Sequence, residues 1–259
     1  MIRNAIAIVI LVLTASAVTV FGQGGQEKPD AKAPAAKPAE QLPTIDQVLD
    51  KYVKALGGKA AIQRPTSILV KGTFEVPAFN ASGTMERFSK APNKYALSVD
   101  IPGFGVIQQA FNGNAGWAQD PQSGLRDLSG VELAQTGREA EMYKDIKLKE
   151  LYTKLVVKGK DKVGDKEVYL VEATPPEGGV EKLYFDTQSG LIVKTDIEAD
   201  TPQGKMPVEI YLEDYKEVEG IKVPFSLRQV TPAVSFSIKL TEVKYNVPVD
   251  DAKFNKPGQ

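Results

Sequence analysis

GTMERFSKAPNKYALSVDIPGFGVIQQAFNGNAGWAQDP, residues 83–121, decides the fold. Three turn signals cut it, at Pro92-Asn93, Pro102-Gly103 and Asn112-Gly113-Asn114. Proline and glycine interrupt strand pairing, and Asn and Gly accept the positive φ that tight hairpins need. Between the breaks the apolar residues alternate, so the stretch reads as an antiparallel meander with one buried face. It also holds the single tryptophan, Trp117.

The same period of two extends outward in both directions. Ile68, Val70, Phe74 and Val76 share one face of a first strand, and Leu69, Lys71, Thr73 and Glu75 the other. Further strands are expected near 82–89, 94–101, 104–111 and 114–119. Gly124 to Leu155 breaks the pattern, with helices expected at Val131–Tyr143 and Ile146–Leu155. A helical insertion inside a sheet has to lie over one face or cap its open end. Lys154 to Tyr245 returns to strands, divided by turn signals at Gly164-Asp165, Pro175-Pro176, Asp186 to Gly190, Pro202 to Gly204, Glu219-Gly220 and Pro232. Met206, Val208, Ile210 and Leu212 alternate with Glu209, Tyr211 and Glu213, a strand with one wet face. The chain is mainly β with a few helices, about 10–11 strands in two blocks with a helical pair between them.

The N-terminal region divides into three parts. Arg3 and the uncharged run from Ala5 to Val20, with Ala15-Ser16-Ala17 near its end, give residues 1–22 the plan of a signal peptide; an uncleaved anchor is the alternative. Residues 23–42, rich in Pro, Ala, Lys and Glu, lack the apolar surface to offset backbone ordering and read as a disordered linker. Thr44 with Gln47 forms a capping box ahead of Ile45, Val48, Leu49, Tyr52, Val53 and Leu56, one apolar stripe ended by Gly57-Gly58. A short turn, Lys59 to Gln63, stops before Pro65. Residues 43–250 make one β domain and 251–259 a C-terminal tail.

Composition removes whole classes of function. There is no Cys and no His, so disulfides, thiolate nucleophiles, Ser-His-Asp and Cys-His catalysis and His-ligated zinc are excluded. Removing residues 1–22 takes away only Arg3, and the resulting charge of −2 argues against nucleic-acid binding. Composition leaves room for a carboxylate-only hydrolase or a calcium site. Neither Asp250-Asp251 nor the acidic residues of 209–219 have the spacing that wraps calcium, and the glycine-rich segments 57–59 and 112–116 lack the frame of a phosphate loop. The run Lys158-Gly159-Lys160-Asp161-Lys162 reads as a charged strand tip that guards a sheet edge. No enzyme, cofactor or metal is expected.

The aromatics leave a choice open. Phe74, Phe79, Phe88, Phe104, Phe111, Trp117, Phe185, Phe225 and Phe236 fit a solid core, or the lining of a cavity on the concave side of a curved sheet with few helices to fill it.

Ser82-Gly83-Thr84-Met85-Glu86-Arg87-Phe88-Ser89-Lys90-Ala91-Pro92-Asn93-Lys94-Tyr95 resembles the second and third strands of the outer-membrane lipoprotein carrier (LolA/LolB-like) superfamily. Phe111-Asn112-Gly113-Asn114-Ala115-Gly116-Trp117-Ala118-Gln119-Asp120-Pro121 is similar to the hairpin that follows. Leu56-Gly57-Gly58 and Phe185-Asp186-Thr187-Gln188-Ser189-Gly190-Leu191-Ile192 fit the same layout. The resemblance implies a strongly curved antiparallel half-barrel whose concave apolar face is lidded by helices and holds a lipid or acyl chain. In the carrier an Arg immediately before the Pro latches the lid; here that position is Ala91, with Lys90 on the opposite face.

The expected function is an exported, periplasmic, monomeric protein holding a lipid or acylated ligand, with peripheral or transient membrane contact, in lipid or lipoprotein transport at the outer membrane. A sensor or scaffold that binds an envelope protein through the sheet is the alternative. The expected lining is Val70, Phe74, Leu97, Val99, Val106, Trp117, Ile210, Leu212, Phe225 and Phe236.

Overall fold

The computed structural model describes residues 41–201 and 204–258, so the expected leader at 1–22 and the linker up to residue 40 lie outside the described residues. Helix α1, Ile45–Ala55, begins at the capping box: the Gln47 amide donates to Thr44 Oγ1 and the Thr44 amide to Gln47 Oε1. Losing the Oγ1 acceptor in Thr44→Ala is expected to cost about 1 kcal/mol, read as a lower urea midpoint with an unchanged slope. Val48, Tyr52 and Leu56 are the buried face of α1, and Ile62 anchors α2, Lys59–Gln63. A Cβ on Gly57, at φ +119°, would stand 2.0 Å from the Gly220 carbonyl oxygen. Glycine there lets the Leu56 carbonyl accept from the Lys222 amide at 2.9 Å, which ties α1 to the sheet.

Thirteen strands follow among the described residues. The first block is β1 Ser67–Val76, β2 Ala81–Lys90, β3 Lys94–Ile101, β4 Gly105–Phe111, β5 Gly116–Asp120 and β6 Gly124–Asp127. The second is β7 Lys154–Val163, β8 Lys166–Thr174, β9 Glu181–Asp186, β10 Ile192–Thr201, β11 Gly204–Val218, β12 Ile221–Val230 and β13 Ser235–Tyr245. All belong to one antiparallel sheet in the order β6-β5-β4-β3-β2-β1-β13-β12-β11-β10-β9-β8-β7, curved but not closed. The sheet is larger than the pattern suggests. Gly124–Asp127, expected at the start of the helical region, is a strand whose four residues are all exposed, so no alternation marks it.

Between the blocks lie α3, Gly130–Ala140, a 3-10 turn at Lys144–Ile146, and α4, Leu148–Leu151. The second expected helix, Ile146–Leu155, is cut short because the Thr153 amide and hydroxyl both donate to the Thr174 carbonyl, which draws the chain into β7. This order explains the cover. The chain enters at the centre of the sheet, runs out to the edge strand β6, and restarts at the opposite edge, β7. The connection therefore crosses the concave side, where Ala140, Met142, Leu148 and Tyr152 join the sheet's inward residues in one core.

Residues 251–259, expected as a tail, are partly docked. Asp251–Phe254 forms a 3-10 turn against β3 and β4, with Phe254 fully buried. Trp117 Nε1 donates to the Phe254 carbonyl at 3.3 Å, and Asp251 accepts from Lys90 and Lys94 at 2.7 and 2.9 Å.

Candidate functional site

The concave face is read from the register. Antiparallel partners point to the same side of a sheet, and one row across the first block is Ala118–Gln109–Leu97–Arg87–Val70. Val70, Phe74, Leu97, Val99, Ile210, Leu212 and Phe236 are all buried in the core on this side, with the Phe74 and Phe236 rings 4.9 Å apart. Phe225 is half-buried beside them, with Lys216 Nζ 4.8 Å from its ring centre.

Two expected lining residues face the other way. Val106 pairs with exposed Asp100, one position out of step with the inward pair Val99–Ile107, and is 42% exposed. Trp117 pairs with Ala110, which in turn pairs with Ala96, all on the convex side. It is buried there because Phe254 covers that patch.

Polar groups that the sequence pattern does not pick out interrupt the apolar concave face. Arg87 is 3% exposed, its guanidinium 5.3 Å from the Tyr95 ring centre, and its Nε has no hydrogen-bond partner. No described carboxylate lies within 4.0 Å of it. Burial pushes its pKa down to about 10, against the smaller opposing influence of Tyr95 and Glu139. The Tyr95 hydroxyl donates its proton to Gln109 Oε1. Above this row α3 lies over β4 and β5, with Gly137 against Phe111 and the Thr136 hydroxyl buried and unpartnered. Elsewhere on the face Gln229, 1% exposed and paired with Ile210 and Phe236, has both side-chain amide atoms unpartnered. Arg87 was discoverable: the Lys90–Lys94 hairpin register pairs it with Leu97, so a Leu97 that faces inward carries Arg87 with it.

The cover is tied down by ions rather than by apolar contact alone. Arg138 of α3 donates to Glu181 at 2.6 Å through Nη2, to Glu177 at 3.0 Å through Nε and to the Tyr152 hydroxyl at 3.0 Å. That hydroxyl donates in turn to Glu181 at 2.5 Å. Burial works against the Arg138 charge, but Tyr152, Glu181 and Glu139 together hold its pKa above the ordinary value. The Tyr52 hydroxyl adds a 2.6 Å bond from α1 to Asp145. At the position where the carrier family has its latch, Ala91 is half-buried and Lys90 points to the convex side, bonded to Asp251 and the Val249 carbonyl.

On the convex face Lys194 lies between the Tyr184 and Tyr211 rings, 5.1 and 5.3 Å from their centres, and pairs with Asp196 and Glu209. The group is closed on itself: Lys194 meets both carboxylates, and the Tyr184 and Tyr211 hydroxyls donate to Asp196 and Glu209. The 2.5 Å hydrogen bond from Lys194 holds the Glu209 carboxyl below its ordinary value of 4.5. A carboxylate lowered in the fold adds stability above that pH and loses it as pH falls below it. Wild type is therefore expected to lose some melting temperature below pH 4.5, a component that Glu209→Gln lacks in acid thermal scans. The other acidic candidates serve structure: Asp250 caps the C-terminal turn and Asp251 binds Lys90 and Lys94. Among the described residues no group of carboxylates could hold a metal ion.

No protein-family model matches the sequence, and no curated protein is similar to it in sequence. Solved structures do match. A LolA superfamily protein from Nitrosomonas europaea superposes with a TM-score of 0.54 at 15% identity, covering 83% of this chain and 99% of that one. This chain has the LolA-like fold. A DUF1329 family protein from Desulfovibrio piger superposes on the LolA-like domain with a TM-score of 0.58 at 13% identity, covering 83% of this chain and 98% of that one. An outer membrane lipoprotein-sorting protein domain from Vibrio parahaemolyticus gives 0.51 at 15% identity, over 80% and 97%. The LolA-like half-barrel expected from residues 82–121 is therefore the architecture observed. Among the described residues no helix is long and apolar enough to cross a membrane.

Proposed function

We propose that this protein is an exported, non-enzymatic binder that holds a lipid or acyl chain between its concave sheet and the helical cover. One observation carries the reading: buried polar atoms without hydrogen-bond partners, Arg87 Nε, the Thr136 and Tyr245 hydroxyls and the Gln229 amide, lie in the otherwise apolar core that the sheet shares with a cover fastened by ions. An unpaired buried polar group costs a fold stability, so a core built only for packing has no reason to keep these four. The fold supports the reading, since one structural neighbour is an outer membrane lipoprotein-sorting domain. The leader pattern of residues 1–22 supports export to the periplasm. Ligand entry requires the cover to lift, because the inward side chains of sheet and helices meet in a single core.

The sensor or scaffold reading has less support from the sheet edges. β7 carries Lys158, Lys160 and Lys162 and a register shift near Gly159, devices that discourage a partner strand. The test is native mass spectrometry of the full chain after mild extraction from the envelope. A co-purifying lipid, removable by solvent and restored by an added acyl probe, is expected. A delipidated protein that binds no acyl probe by mass or by displacement overturns the proposal. Trp117 is a poor reporter for this titration, because it sits on the convex face beneath Phe254.

A further inference from the structure

We infer that the ligand is an anionic amphiphile whose carboxylate or phosphate seats on the Arg87 guanidinium beneath α3, with its hydrocarbon along the apolar rows of β1 and β13. The inference rests on the reading of the concave face as a lipid site and names the chemistry of its headgroup.

Among the described residues three buried cations face the space between sheet and cover, and they differ in one respect. Arg138 has Glu177 and Glu181 within 3 Å, and Lys144 has Glu139 at 2.6 Å. Arg87, buried as deeply as Lys144, has no described carboxylate within 4.0 Å and an orphaned Nε. The α3 carboxylate near it, Glu139, is already committed to Lys144, and Glu132 at the other end of the helix to Arg126 in a two-bond pair at 2.7 and 2.8 Å. Tyr95 meets it with its ring face, 5.3 Å from the guanidinium, and points its hydroxyl proton at Gln109 Oε1. A guanidinium presents its donors as a planar fork that matches a carboxylate or phosphate, and it is worth most where water is excluded. The buried Thr136 hydroxyl, on the helix that covers this row, is a second donor without a partner.

The apolar lining runs away from this point in one direction. Val70, level with Arg87, begins a row that passes through Phe74 and Val76 on β1 and Ile238 and Phe236 on β13. From Val70 to Val76 the strand covers about 20 Å, the reach of a long acyl chain.

The experiment compares ligands matched in chain length and different in headgroup: dodecanoate, dodecyl phosphate and 1-dodecanol. Each displaces the neutral fluorophore N-phenyl-1-naphthylamine from the delipidated full-length protein, as wild type, Arg87→Met and Arg87→Lys. Wild type is expected to bind one or both anions at least about tenfold more tightly than the alcohol, and which anion wins distinguishes a fatty acid from a phospholipid. Arg87→Met should reduce the two anions to the affinity of the alcohol while melting no lower than wild type, and Arg87→Lys should keep part of the preference. Equal affinity for the three ligands in wild type overturns the headgroup assignment and leaves the apolar site standing. Absence of binding by the fluorophore and by every ligand overturns both.

Discussion

Replacing Arg138 with alanine is expected to destabilise the protein by about 3–5 kcal/mol, because it leaves buried carboxylates without their counter-ion. Glu181 would keep only the Tyr152 hydroxyl, and Glu177 would lose its 2.9 Å ion pair with the guanidinium. Urea unfolding reads the loss, and hydrogen exchange locates it, with amides of 130–152 losing protection ahead of the sheet. Protonating the carboxylates should restore part of the deficit, so the double variant Glu177→Gln, Glu181→Gln in the Arg138→Ala background is expected to be more stable than Arg138→Ala alone. A variant within about 1 kcal/mol of wild type would show that the pair is solvated rather than buried.

Arg87→Leu is expected to act with the opposite sign. The depressed pKa of Arg87, about 10 against 12.5, corresponds to about 3 kcal/mol spent on burying its charge at neutral pH. Leucine removes that cost and forfeits the stacking on Tyr95, worth roughly 0.5–2 kcal/mol. The net gain is about 1–3 kcal/mol, visible as a higher urea midpoint. The folded-state pKa lies below the unfolded one, so the penalty is complete below pH 10 and is relieved as pH rises toward 12.5. A variant that unfolds more readily than wild type would mean that the guanidinium has a partner the ligand-free fold depends on. Two buried arginines with opposite effects separate the ion that fastens the cover from the ion that waits under it.

Much of this fold could be read from local chemistry. Thr44 and Gln47 mark the first turn of α1, and the Pro-Asn and Asn-Gly turns mark the ends of β2 to β5. The facing of individual strands was harder. Gly105-Val106-Ile107-Gln108-Gln109-Ala110-Phe111 has apolar residues in both phases, so only pairing with β3 decides that Ile107 and Phe111 point inward and Val106 outward. The side on which Trp117 lies has a longer-range cause: the cover that buries it on the convex side comes from Phe254, 137 residues away. Arg87 sits between Glu86 and Phe88, where hydrophobicity alone would turn the phenylalanine inward. Glu177 and Glu181, which Arg138 binds, come from beyond β8, and no spacing within the helix announces them.

The route of the chain limits how the molecule can open. The segment between β6 and β7 begins on one margin of the sheet and ends on the other, so it is a strap buckled at both sides rather than a door on one hinge. Freeing Arg138 slackens such a strap without releasing either end. Opening would then change the bow of the sheet itself: flattening pulls the strap taut and closed, and deeper bending gives it the slack to rise.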